Sequence, residues 1–109
     1  MPVQCDEYNG VSVITVQGDL LVEQASAIRD ALATRATCSN VVIDLDACRF
    51  LASSGLEALL DTLNTCESRG GRLMVSGLDP NCRKILELTR LEHRFECHAQ
   101  LASALKRLQ

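Results

Sequence analysis

The chain has 109 residues, enough for one domain around one core, with 47% hydrophobic and 23% charged residues. Its net charge of -3 argues against the basic face that duplex DNA or an anionic membrane requires. An aromatic content of 3% argues against the stacking surfaces that bind single-stranded nucleic acid. We therefore expect a globular domain that binds no nucleic acid and does not insert into membranes.

Two extended runs open the chain, at 3–8 and 11–17. Asn9 and Gly10 between them suit the positive φ angles of a type I′ turn, so this region predicts a β-hairpin. Val22 to Arg35 then carries apolar residues at helical spacing and predicts the first helix.

The rest of the chain alternates between strand and helix patterns. Asp79 followed by Pro80 predicts a helix start, because Asp caps helices and Pro suits their first position. In that helix, Ile85 and Leu88 are predicted to face the core. The elements predicted after the first helix are a strand at 41–45, a helix at 55–68, a strand at 72–76, a helix at 80–89, a short strand at 95–96 and a helix at 99–108. The order ββαβαβαβα predicts an α/β fold, with a mixed, mostly parallel sheet, an N-terminal hairpin and about four helices.

The compartment and the cysteines are interpreted together. The first residues predict strand and turn rather than a signal peptide, and no apolar run reaches the ~20 residues of a membrane span. We therefore expect a soluble, cytoplasmic protein whose six cysteines, none in a C-x-x-C pair, are mostly small apolar core residues. His93, Cys97 and His98 come nearest to a metal site, but they lack the second ligand pair of zinc sites. We predict no metal and no cofactor.

The most informative stretch is Val41 to Leu60, VVIDLDACRFLASSGLEALL. It runs from a buried strand through a loop to Ser53-Ser54-Gly55 at the start of an amphipathic helix. This resembles the signature of STAS domains, in which a strand ending in Asp-Leu leads to Asp-Ser-Ser-Gly-Leu. Val16 to Leu20 is similar to the family's Gly-Glu-Leu-Asp entry to the first helix. Because the element order also agrees, residues 1–109 are identified as a single STAS domain of the bacterial anti-sigma factor antagonist family.

The resemblance implies a partner switch in transcription regulation. In this family, an anti-sigma factor with serine kinase activity phosphorylates the antagonist, which then releases it. The matching serine here is Ser54, which the resemblance makes the phosphorylation site. The implied partner-binding residues lie in two loops: Phe50, Leu51, Ala52, Ser53, Ser54, Gly55 and Leu56, together with Asp19 and Leu21.

Two of these residues have a second interpretation. Ser54 and Glu57 form the S-x-x-E pattern of a capping box, in which the serine accepts from the helix backbone and the glutamate reaches back. A cap and a phosphate acceptor are compatible roles. Phe50 is either an apolar anchor for the partner or a loop residue tucked into the core, where large apolar side chains are usually found.

The chain departs from the family pattern at two positions. Ala52 stands where the family carries Asp, two residues before the predicted phosphate acceptor. Leu21 replaces the acidic residue that follows Gly-Glu-Leu. Losing both carboxylates changes the charge around Ser54, which predicts poor phosphorylation or constitutive binding. The acidic residues that are candidates to compensate are Asp19, Glu23 and Asp46.

Two other functions are compatible with parts of the sequence. A STAS-type subunit of a lipid or solute transport system, docked on an ATP-binding subunit, fits the missing carboxylates. A hydrolase needs a base beside Ser53 or Ser54, for which only His93 and His98 are available, and the nucleophile-elbow motif G-x-S-x-G is absent. We therefore predict a non-enzymatic protein whose partner is an anti-sigma factor or, in the alternative, a transporter ATP-binding subunit.

Overall fold

The computed structural model describes residues 2–109, which form five strands and four helices. The elements are β1 (Val3–Tyr8), β2 (Val11–Val16), α1 (Val22–Thr34), β3 (Asn40–Asp44), α2 (Ser53–Ser68), β4 (Leu73–Ser76), α3 (Pro80–Leu88), β5 (Glu96–His98) and α4 (Leu101–Arg107). The predicted order ββαβαβαβα is confirmed. Over the described residues, no helix has both the length and the apolar composition of a membrane span.

The five strands form one sheet in the order β1-β2-β3-β4-β5. β1 runs antiparallel to β2, and every other neighbouring pair is parallel, which confirms the predicted mixed sheet. Asn9 and Gly10 carry the hairpin turn with φ angles of 51° and 82°. Because β2 to β5 are parallel, the loops that follow them all begin at one edge of the sheet, where α/β proteins place their sites.

Helices cover the two faces of the sheet unequally. α1, α2 and α3 pack on the strands to form the larger core, in which Ile28 of α1, Ile43 of β3 and Leu59 of α2 are buried. On the other face, α4 alone packs Ala104 against Met74 and neighbouring valines. The sheet is thus buried on both sides, which agrees with the β-branched composition of β3.

Two boundaries differ from the sequence prediction in ways that matter. α2 begins at Ser53 rather than at Gly55, because the N–H of Leu56 already donates to the carbonyl of Ala52 at 3.0 Å. β5 lies at Glu96–His98 rather than at 95–96, and the preceding Phe95 is buried as a core residue.

Of the two residues of α3 predicted to face the core, Ile85 packs half-buried against it, but Leu88 does not. Leu88 is 72% exposed, at the last residue of the helix. The buried residues of α3 are Cys82 and Leu86, which lie four apart and therefore on one face. Three of the six cysteines, Cys48, Cys66 and Cys82, are buried in the core, and Cys5 and Cys97 pack half-buried against it, which confirms the prediction for most of the cysteines.

Candidate functional site

Two loops at the carboxyl edge of the sheet are joined by their backbones. The loop before α1 and the loop before α2 pair through Leu20, whose N–H donates to the Phe50 carbonyl at 3.0 Å. The Leu20 carbonyl accepts from the Ala52 N–H at 2.9 Å, which completes a parallel bridge between Leu20 and Leu51. Both leucines are buried, at 0% and 2% exposure, so they anchor the paired loops on the core.

Gly55 allows α2 to start directly against this pair of loops. A Cβ atom on Gly55 would lie 2.6 Å from Cγ and 2.7 Å from the carbonyl oxygen of Leu20. Contacts that short are not tolerated, and one of the two partners is backbone. The glycine of the Ser-Ser-Gly motif is therefore a requirement of packing, set by how closely the two loops approach.

An apolar surface lies on the outer side of the paired loops. Phe50 is 50% exposed, Leu21 is 44% exposed and Val22 is 70% exposed. We call these three residues the apolar face. Single exposed apolar residues are normal, whereas these three lie on or beside two loops that are paired through their backbones. Of the two interpretations of Phe50, the core position is therefore wrong.

Polar contacts fix the backbone next to the apolar face. The carboxylate of Asp19 accepts from the Arg49 N–H at 2.9 Å. The Arg49 guanidinium donates to the Asp46 carbonyl at 2.9 Å and lies 3.8 Å from a carboxylate oxygen of Asp79. A hydrogen bond from the Cys82 N–H holds the pKa of Asp79 below its usual value. The Asp19 carboxylate and the Asp46 backbone carbonyl thus hold the loop in place through their contacts with Arg49.

The two serines of the motif have different environments. Ser53 is exposed at the first residue of α2. The hydroxyl oxygen of Ser54 is buried and has no hydrogen-bond partner, which is an unfavourable environment by about 1–3 kcal/mol. The N-cap is Ala52, so the predicted capping box of Ser54 and Glu57 is wrong. The S-x-x-E pattern falls inside the first turn, two positions later than a capping box requires.

Both departures from the family pattern are N-cap residues. Leu21 is the N-cap of α1 and Ala52 is the N-cap of α2, and neither side chain accepts a hydrogen bond from its helix. At α1 the side chain of Gln24 accepts from the Leu21 N–H at 3.2 Å and partly replaces a cap. The missing carboxylates therefore leave two helix starts, with their partial positive charge, beside the apolar face.

Not every predicted partner-binding residue is on the surface. Leu51 and Gly55 are buried, because they anchor the loop and admit the close approach of α2. Leu56 is half-buried against the core. Sequence analysis missed Val22, although a signal was present: three consecutive apolar residues at a helix start cannot all face the core.

Each of the two histidines lies beside a glutamate. In residues 2–109, no three His, Cys, Asp or Glu side chains gather closely enough to hold a metal ion. His93 is exposed beside Glu92, and His98 lies on β5 with its ring 3.2 Å from the carboxylate of Glu96.

Comparison with known proteins assigns the family. A sequence model of the STAS domain matches residues 2–104. The chain belongs to the STAS domain family. It is 22% identical over 112 residues to an anti-sigma F factor antagonist from Paenibacillus polymyxa, a match that covers 100% of this chain and 96% of the relative.

Solved structures share the fold of this STAS domain. An anti-sigma factor antagonist from Mycobacterium paratuberculosis is 29% identical, with a TM-score of 0.81 over 97% of this chain and 92% of that one. A sulfate transporter family protein from Wolinella succinogenes is 18% identical, with a TM-score of 0.84 over 94% and 88%. The Bacillus cell fate determinant SpoIIAA in its phosphorylated form is 23% identical, with a TM-score of 0.70 over 98% and 99%.

Proposed function

We propose that this protein, as a single STAS domain over residues 1–109, is an anti-sigma factor antagonist. Its proposed partner is an anti-sigma factor of the serine kinase type, which it binds in the cytoplasm without catalysing a reaction. The apolar face carries the proposal, because it exposes Leu21, Val22 and Phe50 on two backbone-paired loops. The Paenibacillus relative and the Mycobacterium structure, both matched over nearly their whole length, bear this function in their names.

Phe50 is the proposed anchor of the interface. An aromatic side chain buries a large area with few rotatable bonds, and such residues dominate the binding energy of interfaces. Leu21 and Val22 extend the apolar contact, and the exposed Ser53 lies at its rim. Leu51, Gly55 and Asp19 support this surface from beneath, so we assign them to its shape rather than to direct contact.

We propose Ser53 as the phosphate acceptor in preference to Ser54. A kinase must bring the hydroxyl into its own active site, and Ser53 is exposed at the first residue of α2. The Ser54 hydroxyl oxygen is buried, so it reaches a kinase only after its side chain or the start of α2 rearranges. The phosphorylated form of SpoIIAA shows that a protein of this fold carries phosphate.

A phosphate on Ser53 would act on binding rather than on folding. It adds about -1.5 to -2 charges, which the free N–H groups at the start of α2 favour. At the rim of the apolar face the same charge must lose its water when the partner binds, at a cost of several kcal/mol. The exposed Glu57, one turn later, repels the phosphate and weakens the first effect.

Phosphorylation by the kinase-type anti-sigma factor of the same host tests this proposal. The wild type, Ser53→Ala and Ser54→Ala are incubated with the kinase and Mg-ATP, and intact masses are measured. We expect one phosphate on the wild type and on Ser54→Ala, and none on Ser53→Ala. Phosphate retained on Ser53→Ala but lost on Ser54→Ala would return the site to Ser54. Absence of any complex with the anti-sigma factor, in either phosphorylation state, would refute the function itself.

The transport-subunit function is the second candidate. The sulfate transporter family structure from Wolinella favours it, since that protein has the same fold. The two candidates differ in what co-purifies with the protein from its host, an anti-sigma factor or an ATP-binding transport subunit. The Phe50→Ala variant should lose either partner, so the identity of the wild-type partner decides between them.

A further inference from the structure

Two cysteines meet beneath the loop that carries Phe50. Cys48 and Cys82 are 34 residues apart in the chain and fully buried, and their sulfur atoms lie 3.8 Å apart. Cys48 belongs to the loop between β3 and α2, and Cys82 lies in the first turn of α3. A disulfide bond requires a sulfur–sulfur distance of about 2.05 Å, so oxidation would draw the two segments together.

The two thiols are attached to their surroundings differently. The Cys48 thiol donates to the Phe50 carbonyl at 3.1 Å, and the same carbonyl accepts the Leu20 N–H that pairs the two loops. The Cys82 thiol donates to the Cys48 carbonyl at the longer distance of 3.6 Å, whereas the Cys82 N–H donates to the Asp79 carboxylate at 2.9 Å and fixes Cys82 to the start of α3. Closing the gap therefore moves the loop more than the helix, and it removes the thiol from the Phe50 carbonyl.

We propose that Cys48 and Cys82 form an oxidisable thiol pair, and that a hydroperoxide converts them to a disulfide that shifts the loop under the apolar face. The regulatory meaning of this shift rests on the proposed function, because it acts on the same binding surface. The formation of the disulfide bond does not depend on the proposed function, since both thiols belong to the free protein.

The reaction balances with hydrogen peroxide as the oxidant. The Cys48 sulfur attacks one peroxide oxygen, the O–O bond breaks, and a sulfenic acid forms with release of one water. The Cys82 sulfur then attacks the Cys48 sulfur, the S–O bond breaks, and a second water leaves. Two thiols are oxidised to one disulfide while the peroxide is reduced to two waters.

The order of the two steps follows from the environments of the thiols. Burial raises the pKa of Cys82, so its thiolate is scarce at neutral pH. Cys48 lies in a loop whose neighbouring residues, Ala47 and Arg49, are exposed, so local opening of the loop brings it to solvent. Cys66 is also buried, and burial raises its pKa to about 11, but it is in α2, away from this pair. It is the matched control.

Peroxide treatment of the purified protein tests the proposal without a partner. The wild type, Cys48→Ala, Cys82→Ala and Cys66→Ala are treated with hydrogen peroxide, blocked with a thiol reagent and analysed by intact mass and peptide mapping. We expect the wild type and Cys66→Ala to lose two hydrogens and to give a linked Cys48–Cys82 peptide that dithiothreitol releases. Neither of the other variants should give this peptide. Absence of the peptide from the wild type would overturn the proposal, whatever the variants do.

Hydrogen exchange tests the movement of the loop. In the disulfide form, the Leu20 amide should exchange several-fold faster than in the reduced form, because its acceptor, the Phe50 carbonyl, moves. The Met74 amide, on the buried strand β4, should not change. Equal protection of the Leu20 amide in both forms would overturn the coupling between the disulfide and the apolar face.

Discussion

The two ends of α2 differ in how well their polar groups are hydrogen-bonded. At its end, the Arg69 guanidinium donates to the carbonyls of Leu32, Ala36 and Cys38 at 2.8, 2.7 and 2.9 Å, and Gly70 closes the helix at a φ of 78°. Carbonyls left free where α1 stops are thereby satisfied. At its start, Ala52 provides no cap, and the Ser54 hydroxyl oxygen is buried without a partner.

This difference between the two ends of α2 indicates that one end contributes mainly to stability and the other mainly to binding. The end of α2 fastens two helices together through polar contacts to the backbone. Its start gives up such contacts, and beside it lie three exposed apolar residues and an exposed serine. Departures from local rules are expected at functional sites, where another requirement decides the residue. The start of α2 is where we place partner binding.

Replacing Gly55 should have the largest effect on the protein. Gly55→Val places a Cβ where Leu20 Cγ and the Leu20 carbonyl already lie, so we expect a loss of about 3 kcal/mol in the free energy of unfolding. Urea denaturation measures it. Ser53→Ala, at the exposed residue two positions earlier, is the control and should change stability by less than about 0.5 kcal/mol. Equal stability of Gly55→Val and the wild type would show that the loops separate easily.

Removing the contacts at the other end of α2 should destabilise the domain without affecting the apolar face. Arg69→Met keeps most of the side-chain length but loses three hydrogen bonds from a charged donor, and we expect a loss of about 2 kcal/mol. Arg94→Met, at an exposed position, is the matched control. Binding of Arg69→Met to the anti-sigma factor, measured well below its melting temperature, should equal that of the wild type. A loss of affinity would contradict the separation of roles.

Truncating Phe50, the proposed anchor, should weaken binding and leave the stability of the domain nearly unchanged. Phe50→Ala should weaken binding of the anti-sigma factor by about tenfold or more, since aromatic anchors dominate interfaces. Its unfolding midpoint should move little, because half of the side chain is already in solvent. Tyr8→Ala removes an equally exposed aromatic residue from the edge strand β1 and is the control for titration calorimetry. If both variants bind alike, Phe50 is not the anchor.

Supplying the missing cap of α2 should have the smallest effect, and it should stabilise the protein, whereas the other substitutions lower its stability or its affinity. Ala52→Asp gives the start of α2 the arrangement that Asp79 already provides to α3, and we expect a gain of about 1 kcal/mol in the free energy of unfolding. The gain is present at neutral pH, because a capping carboxylate has a lowered pKa, and it is lost as the pH falls through that pKa. Denaturation at pH 7 and at pH 3 measures both. A gain that persists at pH 3 would contradict capping by the carboxylate.

Local patterns were sufficient for the order of the elements. The period of apolar residues separates strands from helices, Asn9 and Gly10 specify the hairpin, and Asp79 with Pro80 specifies the start of α3. Boundaries were less certain, since S-x-x-E occurs both as a capping box and, as at Ser54, within a first turn. Which of these applies depends on the carbonyl of Ala52, whose position the loop and not the motif determines.

The sequence by itself determined the α/β fold, the order of its elements and, through the Ser-Ser-Gly motif, the family resemblance, because these depend on periodicity and short-range backbone preference. Only the tertiary structure decided which residues of the motif reach solvent. Leu20 and Leu51 meet across some thirty residues of chain, and their burial turns Phe50 outward and the Ser54 hydroxyl inward. The contact between Cys48 and Cys82 likewise joins two segments that are far apart in the chain. Contacts between distant segments depend on how loops pack, and no local pattern in the chain encodes them.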